Sequence, residues 1–101
     1  MAYQRLRPYI PANSTGLVPL TFFFDEYEQY PRLLCHENFT CYSDRPKDFP
    51  IWAYQHKADF ILIDYQYWPQ KYYPEPGTAN LPPYKLTFFD GRFAVYIHQK
   101  S

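Results

Sequence analysis

Asp90-Gly91 sits between two runs in which apolar residues alternate with polar ones, Tyr84–Phe89 and Arg92–His98. This is the strongest constraint in the chain. Alternation with a period of two puts one set of side chains on each face of a strand, and an Asp-Gly pair between two such runs predicts a type I′ β-hairpin. A two-residue loop at Asp90-Gly91 pairs Phe89 with Arg92, Phe88 with Phe93, Leu86 with Val95 and Lys85 with Tyr96. That register assigns Tyr84, Leu86, Phe88, Phe93, Val95 and Ile97 to an inner face. Lys85, Thr87, Phe89, Arg92, Ala94, Tyr96 and His98 form the outer one.

Two further segments read as strands. In Leu17–Asp25, Leu20, Phe22 and Phe24 share one face, and Phe23 lies on the other, so both faces call for cover. In Asp59–Trp68, Ile61, Ile63, Tyr65 and Tyr67 form the core face. Phe60, Leu62, Asp64, Gln66 and Trp68 form a face that turns polar halfway along. Prolines punctuate the rest. Pro8 and Pro11 make residues 1–16 an irregular N-terminal arm. Pro31 stops any helix begun in the acidic stretch after Asp25. Pro69, Pro74, Pro76, Pro82 and Pro83 make 69–83 a long extended connection. One short helix is expected near 50–57, capped by Asp48 with Pro50 in its first turn. The chain thus reads as an arm followed by one small β-rich domain over 17–101. The expected architecture is mainly β, a small antiparallel sandwich or partly open barrel.

Composition enters through the rings. The 101 residues include 12 Tyr, 9 Phe and 2 Trp. Surface scaling allows roughly 6,100 Å² folded against roughly 18,000 Å² extended. Full enclosure of the rings needs on the order of 3,500–5,700 Å², in competition with the backbone and the aliphatic residues. Some rings must stay partly exposed. Tyr and Trp are enriched at protein interfaces, and Pro-rich arms lose little entropy on docking. The expected function is therefore protein–protein interaction. The chain reads as an accessory or structural subunit, or a small viral or phage accessory protein, docking on a larger assembly through Trp68, Tyr72 and Tyr73. Ten basic and ten acidic residues leave no net charge, which favours self-association and argues against non-specific polyanion binding. The alternative is a binding module for single-stranded nucleic acid or glycan. Its site would be the outer hairpin face, where Lys85, Phe89, Arg92, Tyr96 and His98 interleave cations with rings. Cross-strand cation–π pairing accounts for the same residues without a ligand.

Catalytic and cofactor chemistry find no motif, so no enzyme, cofactor or metal is expected. Cys35, His36, Cys41 and His56 are the metal-ligating types, but five residues separate the cysteines where a zinc knuckle needs two to four. Ser14, Ser43 and Ser101 lie in no nucleophile-elbow pattern. Asp59 and Asp64 are an odd number of positions apart, hence on opposite faces of a strand. Asp25, Glu26 and Glu28 read as a solvated rim. Gly16, Gly77 and Gly91 are isolated and form no phosphate-binding loop. Tyr30-Pro31-Arg32-Leu33 and Leu81-Pro82-Pro83-Tyr84 approximate short docking peptides, yet Tyr30 and Tyr84 serve equally as packed anchors. No run of about 18 apolar residues and no apolar leader follows the basic start, so an intracellular location is expected, with Cys35 and Cys41 as thiols. In an oxidising compartment the triplets Asn13-Ser14-Thr15 and Asn38-Phe39-Thr40 would be glycosylation acceptors.

Overall fold

The computed structural model describes residues 6, 8–10, 14–19, 22–23, 32–35, 48–66 and 74–98. Among these residues, six strands form one open mixed sheet: β1 (Thr15–Val18), β2 (Arg32–Cys35), β3 (Phe60–Asp64), β4 (Asn80–Leu81), β5 (Tyr84–Phe89) and β6 (Phe93–His98). Their spatial order is β2-β1-β3-β6-β5-β4. The helix α1 (Asp48–Gln55) precedes β3. The fold is mainly β with one short helix and a C-terminal hairpin. It is neither a sandwich nor a barrel, because a single sheet carries all six strands and does not close.

The expected antiparallel arrangement holds for three of the five strand pairings. β3, β6, β5 and β4 are antiparallel neighbours, whereas β1 runs parallel to both β2 and β3. The chain steps from β1 to β2 on one side, then back past β1 to β3. Crossovers of one hand that travel in opposite directions must lie on opposite faces of a sheet. The core agrees. Trp52 and Ala53 of α1, on the β2–β3 crossover, pack with Leu17, Ile61, Ile63, Tyr84, Ala94 and Tyr96. Phe22, on the β1–β2 crossover, packs with Val18, Phe60, Leu62, Phe93 and Val95 on the opposite face. Leu6 and Ile10 complete that second layer.

This two-sided cover corrects the reading of β3. Its five residues are all buried, so Phe60 and Leu62 belong to a core as fully as Ile61 and Ile63. A continuous apolar run is the mark of a strand covered on both faces. The earlier strand ends at Val18 rather than running to Asp25. Pro19 has no N–H for the ladder, and its carbonyl accepts from Phe23 N (3.0 Å) to begin a helical turn. At β1, Gly16 is opposite Phe60 in the register, and a methyl group on Gly16 would overlap the Phe60 ring.

The hairpin forms with a shifted loop. Phe89 pairs with Ala94 and Phe88 with Val95, then a bulge at Thr87 gives Leu86–Tyr96, Lys85–Ile97 and Tyr84–His98. A type I′ turn needs two central residues with positive φ, and here only Gly91 has one (+98°). The cause is the Asp90 carboxylate. Its Oδ1 accepts from the backbone N–H of Arg92 (3.0 Å) and of Phe93 (2.8 Å), so Gly91 and Arg92 become the loop centre. The bulge then divides the expected inner face. Phe88, Phe93, Val95 and Ile97 stay together, while Tyr84 and Leu86 join Ala94 and Tyr96 under α1. Among the described residues, no helix is long and apolar enough to cross a membrane.

Candidate functional site

α1 ends in a way that shapes the surface beside it. His56 N donates to Trp52 O (3.1 Å), Lys57 N to Tyr54 O (3.0 Å) and Ala58 N to Ala53 O (2.9 Å). The last two bonds are a Schellman cap, whose turning residue is usually glycine because it takes a left-handed conformation. Here that residue is Lys57, with φ of +60°. Its side chain is exposed, and among the described residues no hydrogen bond or ion pair engages its ammonium.

Two residues later the chain enters β3 through Asp59. Asp59 N donates to Thr15 O (2.7 Å) and His98 N donates to Asp59 O (2.9 Å), so the backbone here is tied to β1 and β6. One carboxylate oxygen accepts from Thr15 N (3.0 Å). His98, at the far end of β6, lies between two tyrosines. Its ring centroid is 5.2 Å from that of Tyr54 and 5.6 Å from that of Tyr84. The buried Tyr84 holds the neighbouring backbone: its hydroxyl donates to Ala58 O (2.8 Å). Burial, with the nearby charge of Asp59, holds the Tyr84 hydroxyl far above its usual range. These elements enclose an open cleft of about 420 Å³ lined by Tyr54, Gln55, Lys57, Ala58, Asp59 and His98. It offers a cation, a carboxylate and an aromatic wall.

The outward side of α1 continues from this cleft. Ile51 and Tyr54 are one turn apart on the helix, and they are 52% and 53% exposed. Phe89 and Tyr9 are also exposed, although Tyr9 packs on Phe88 with centroids 4.4 Å apart. His56 stacks on Trp52 (4.1 Å). Its Nδ1 is 2.9 Å from Trp52 O, an acceptor only, so Nδ1 carries the hydrogen of this bond.

The opposite end of β3 is closed. Asp64 is 1% exposed. Its two oxygens accept from Arg92 Nε (3.0 Å) and a terminal Arg92 nitrogen (2.9 Å), and Oδ1 also accepts from Gln66 N (3.0 Å). The guanidinium lies 4.6 Å from the Phe93 ring centroid. Beside it, Tyr65 donates to Pro74 O (2.9 Å) and Tyr96 to Thr78 O (2.8 Å), pinning the end of the Pro-rich connection to the sheet. Burial raises both hydroxyls above the usual range.

The expected site residues scatter on this frame. Trp68, Tyr72 and Tyr73 lie outside the described residues. The outer hairpin set does not share one open face. Tyr96 is fully buried, and Arg92 is engaged by Asp64. Phe89 meets Tyr65 edge-on at 6.3 Å. Lys85 is exposed opposite Ile97, and His98 belongs to the cleft instead. Of the metal-ligating types, Cys35 is in β2 and His56 is exposed on the turn after α1, while His36 and Cys41 lie outside the described residues. Among the described residues, no three His, Cys, Asp or Glu side chains gather as a metal site. Lys57 and Asp59 were absent from the sequence reading as a pair, since only the cap that ends α1 brings them to one rim. The available signal was a helix stop before the β3 run with no glycine to make it. Compared with protein-family models, with curated proteins and with solved structures, the chain matches none.

Proposed function

We propose that the chain is a non-catalytic interaction protein, an accessory or structural subunit that docks on a larger assembly through exposed aromatic and apolar side chains. The observation that carries this reading is the outward side of α1. Both sheet faces are already covered, yet Ile51 and Tyr54 stay more than half exposed and adjacent. Burying a large apolar side chain completely is worth roughly 1.5–3 kcal/mol, so enclosing the exposed half of each in a partner releases roughly half of that. Docking is favoured over nucleic-acid or glycan binding on the hairpin because the Tyr96 ring is covered and the Arg92 guanidinium is already paired.

The test is recovery of the tagged chain from the cells that make it, with and without nuclease, followed by gel filtration. A stoichiometric set of proteins should survive nuclease. The Ile51→Ser/Tyr54→Ser double variant should lose that set while keeping its circular dichroism and melting temperature. An empty or nuclease-sensitive recovery, or full retention by the folded double variant, would overturn the proposal.

A further inference from the structure

The cleft at the end of α1 asks for a ligand of its own. Its volume of about 420 Å³ falls within the range of small-molecule sites, roughly 300–1,000 Å³. Its rim carries opposite charges on Lys57 and Asp59, two positions apart and both exposed. They are not paired with each other among the described residues. The Lys57 ammonium has no partner there, and Asp59 uses one oxygen on Thr15 N. The same cleft is lined by the Tyr54–His98 ring pair.

Lys57 is the second, independent observation. A left-handed residue at a Schellman cap is normally glycine, because a Cβ is strained there. The cap itself uses only backbone atoms of Lys57. A cation at a helix C-terminus gains roughly 0.3–1 kcal/mol from the helix dipole, less than the roughly 1–2 kcal/mol that a Cβ costs in the left-handed conformation, so helix termination does not by itself account for a lysine at φ of +60°. Strained residues persist where their side chain has a task, and this one lines the cleft.

We infer that the cleft binds a small zwitterion with an aromatic or apolar side chain, that is, a free amino acid of that class. Its carboxylate meets Lys57, its ammonium meets Asp59, and its side chain packs on the Tyr54 and His98 rings. This goes beyond docking through α1 and does not depend on it. The docking test reads Ile51 and Tyr54, whereas the zwitterion test reads Lys57.

The experiment is a titration of the full chain with L-phenylalanine, followed by backbone amide shifts in NMR. Saturable shifts should appear over 57–59 and at His98. Phenylalanine amide, which lacks the carboxylate, and N-acetylphenylalanine, which lacks the ammonium, should each bind about tenfold more weakly, as expected for loss of one charge-assisted hydrogen bond. Lys57→Gly and Lys57→Met should weaken phenylalanine binding by about the same factor and leave the amide unaffected. The glycine variant relieves the strained cap and the methionine variant keeps the aliphatic stem, so unfolding does not mimic the result. No saturable shift, equal affinity for the three compounds, or unchanged affinity in both folded variants would overturn the inference.

Discussion

The two ends of β3 carry an aspartate each, and the two are used in opposite ways. Asp64 is buried, and both its oxygens are bound by Arg92. Asp59 is exposed and holds one backbone N–H. At the first end every charge has a partner, and the ion pair ties the hairpin loop to the sheet. At the second, Asp59 and the unengaged Lys57 face a cleft. A buried carboxylate must be paired because desolvation leaves it no alternative. An exposed one is held loosely by water and stays available to a ligand. Charge alone does not distinguish structure from function along this strand; solvent access does.

The largest way to break this comparison is at the closed end. Arg92→Ala leaves the Asp64 carboxylate buried without its cation, and should cost about 3–5 kcal/mol. Asp64→Asn should cost less, about 1–3 kcal/mol from weakened hydrogen bonds, because the Arg92 side chain is already 41% exposed and can turn to water. Urea denaturation of the two variants measures the asymmetry. Equal losses would show that the pair is not governed by the burial of one partner.

The next effect sharpens the open end. Tyr84→Phe removes the bond to Ala58 O beside the cleft and should cost about 1 kcal/mol at neutral pH. It should also change the alkaline limb. The Tyr84 hydroxyl titrates well above its ordinary value of 10.0, mainly because it is buried. Above that ordinary value the unfolded chain releases its proton while the folded chain keeps it, so stability falls as pH rises. Stability from this group is complete below pH 10, and Tyr84→Phe should flatten part of the decline above it. An identical alkaline slope in wild type and variant would remove Tyr84 as a source.

The smallest effect is a gain. Lys57→Gly should stabilise the fold by roughly 0.5–1 kcal/mol, as relief of the left-handed strain outweighs the added freedom of the unfolded chain. Thermal melts compare it with wild type. A loss of stability would mean that the lysine side chain supports the helix end, and that its position at the cleft is structural.

Much of the fold is legible locally. The hairpin, the short helix containing Pro50 and the β3 run follow from alternation, proline placement and apolar continuity, which act within a few residues. The hairpin departs from its expected register for local reasons. Asp90 offered its side chain to the turn where its backbone was expected, so the loop moved by one residue, and the Thr87 bulge then redirected Tyr84 and Leu86. Moving the loop by one residue shifts the pairing by two positions and keeps each face, whereas the single extra residue of the bulge sends Tyr84 and Leu86 to the other face, because the period of a strand is two. Lys85, Phe89, Arg92, Tyr96 and His98 were grouped by a register that the chain does not use.

The sequence by itself determined where strands and turns can form, because backbone freedom at Pro, Gly and Asp is a local property. It also determined that the rings outnumber what a small core encloses. The tertiary structure alone decided that β1 lies parallel between β2 and β3, and that α1 and Phe22 cover opposite faces. It alone decided that Arg92 closes on Asp64 while Lys57, Asp59 and His98 share a cleft. Those outcomes join residues far apart in the chain, such as Thr15 and Asp59, 44 positions apart, and long-range pairing depends on which surfaces can be buried together, which no local pattern records.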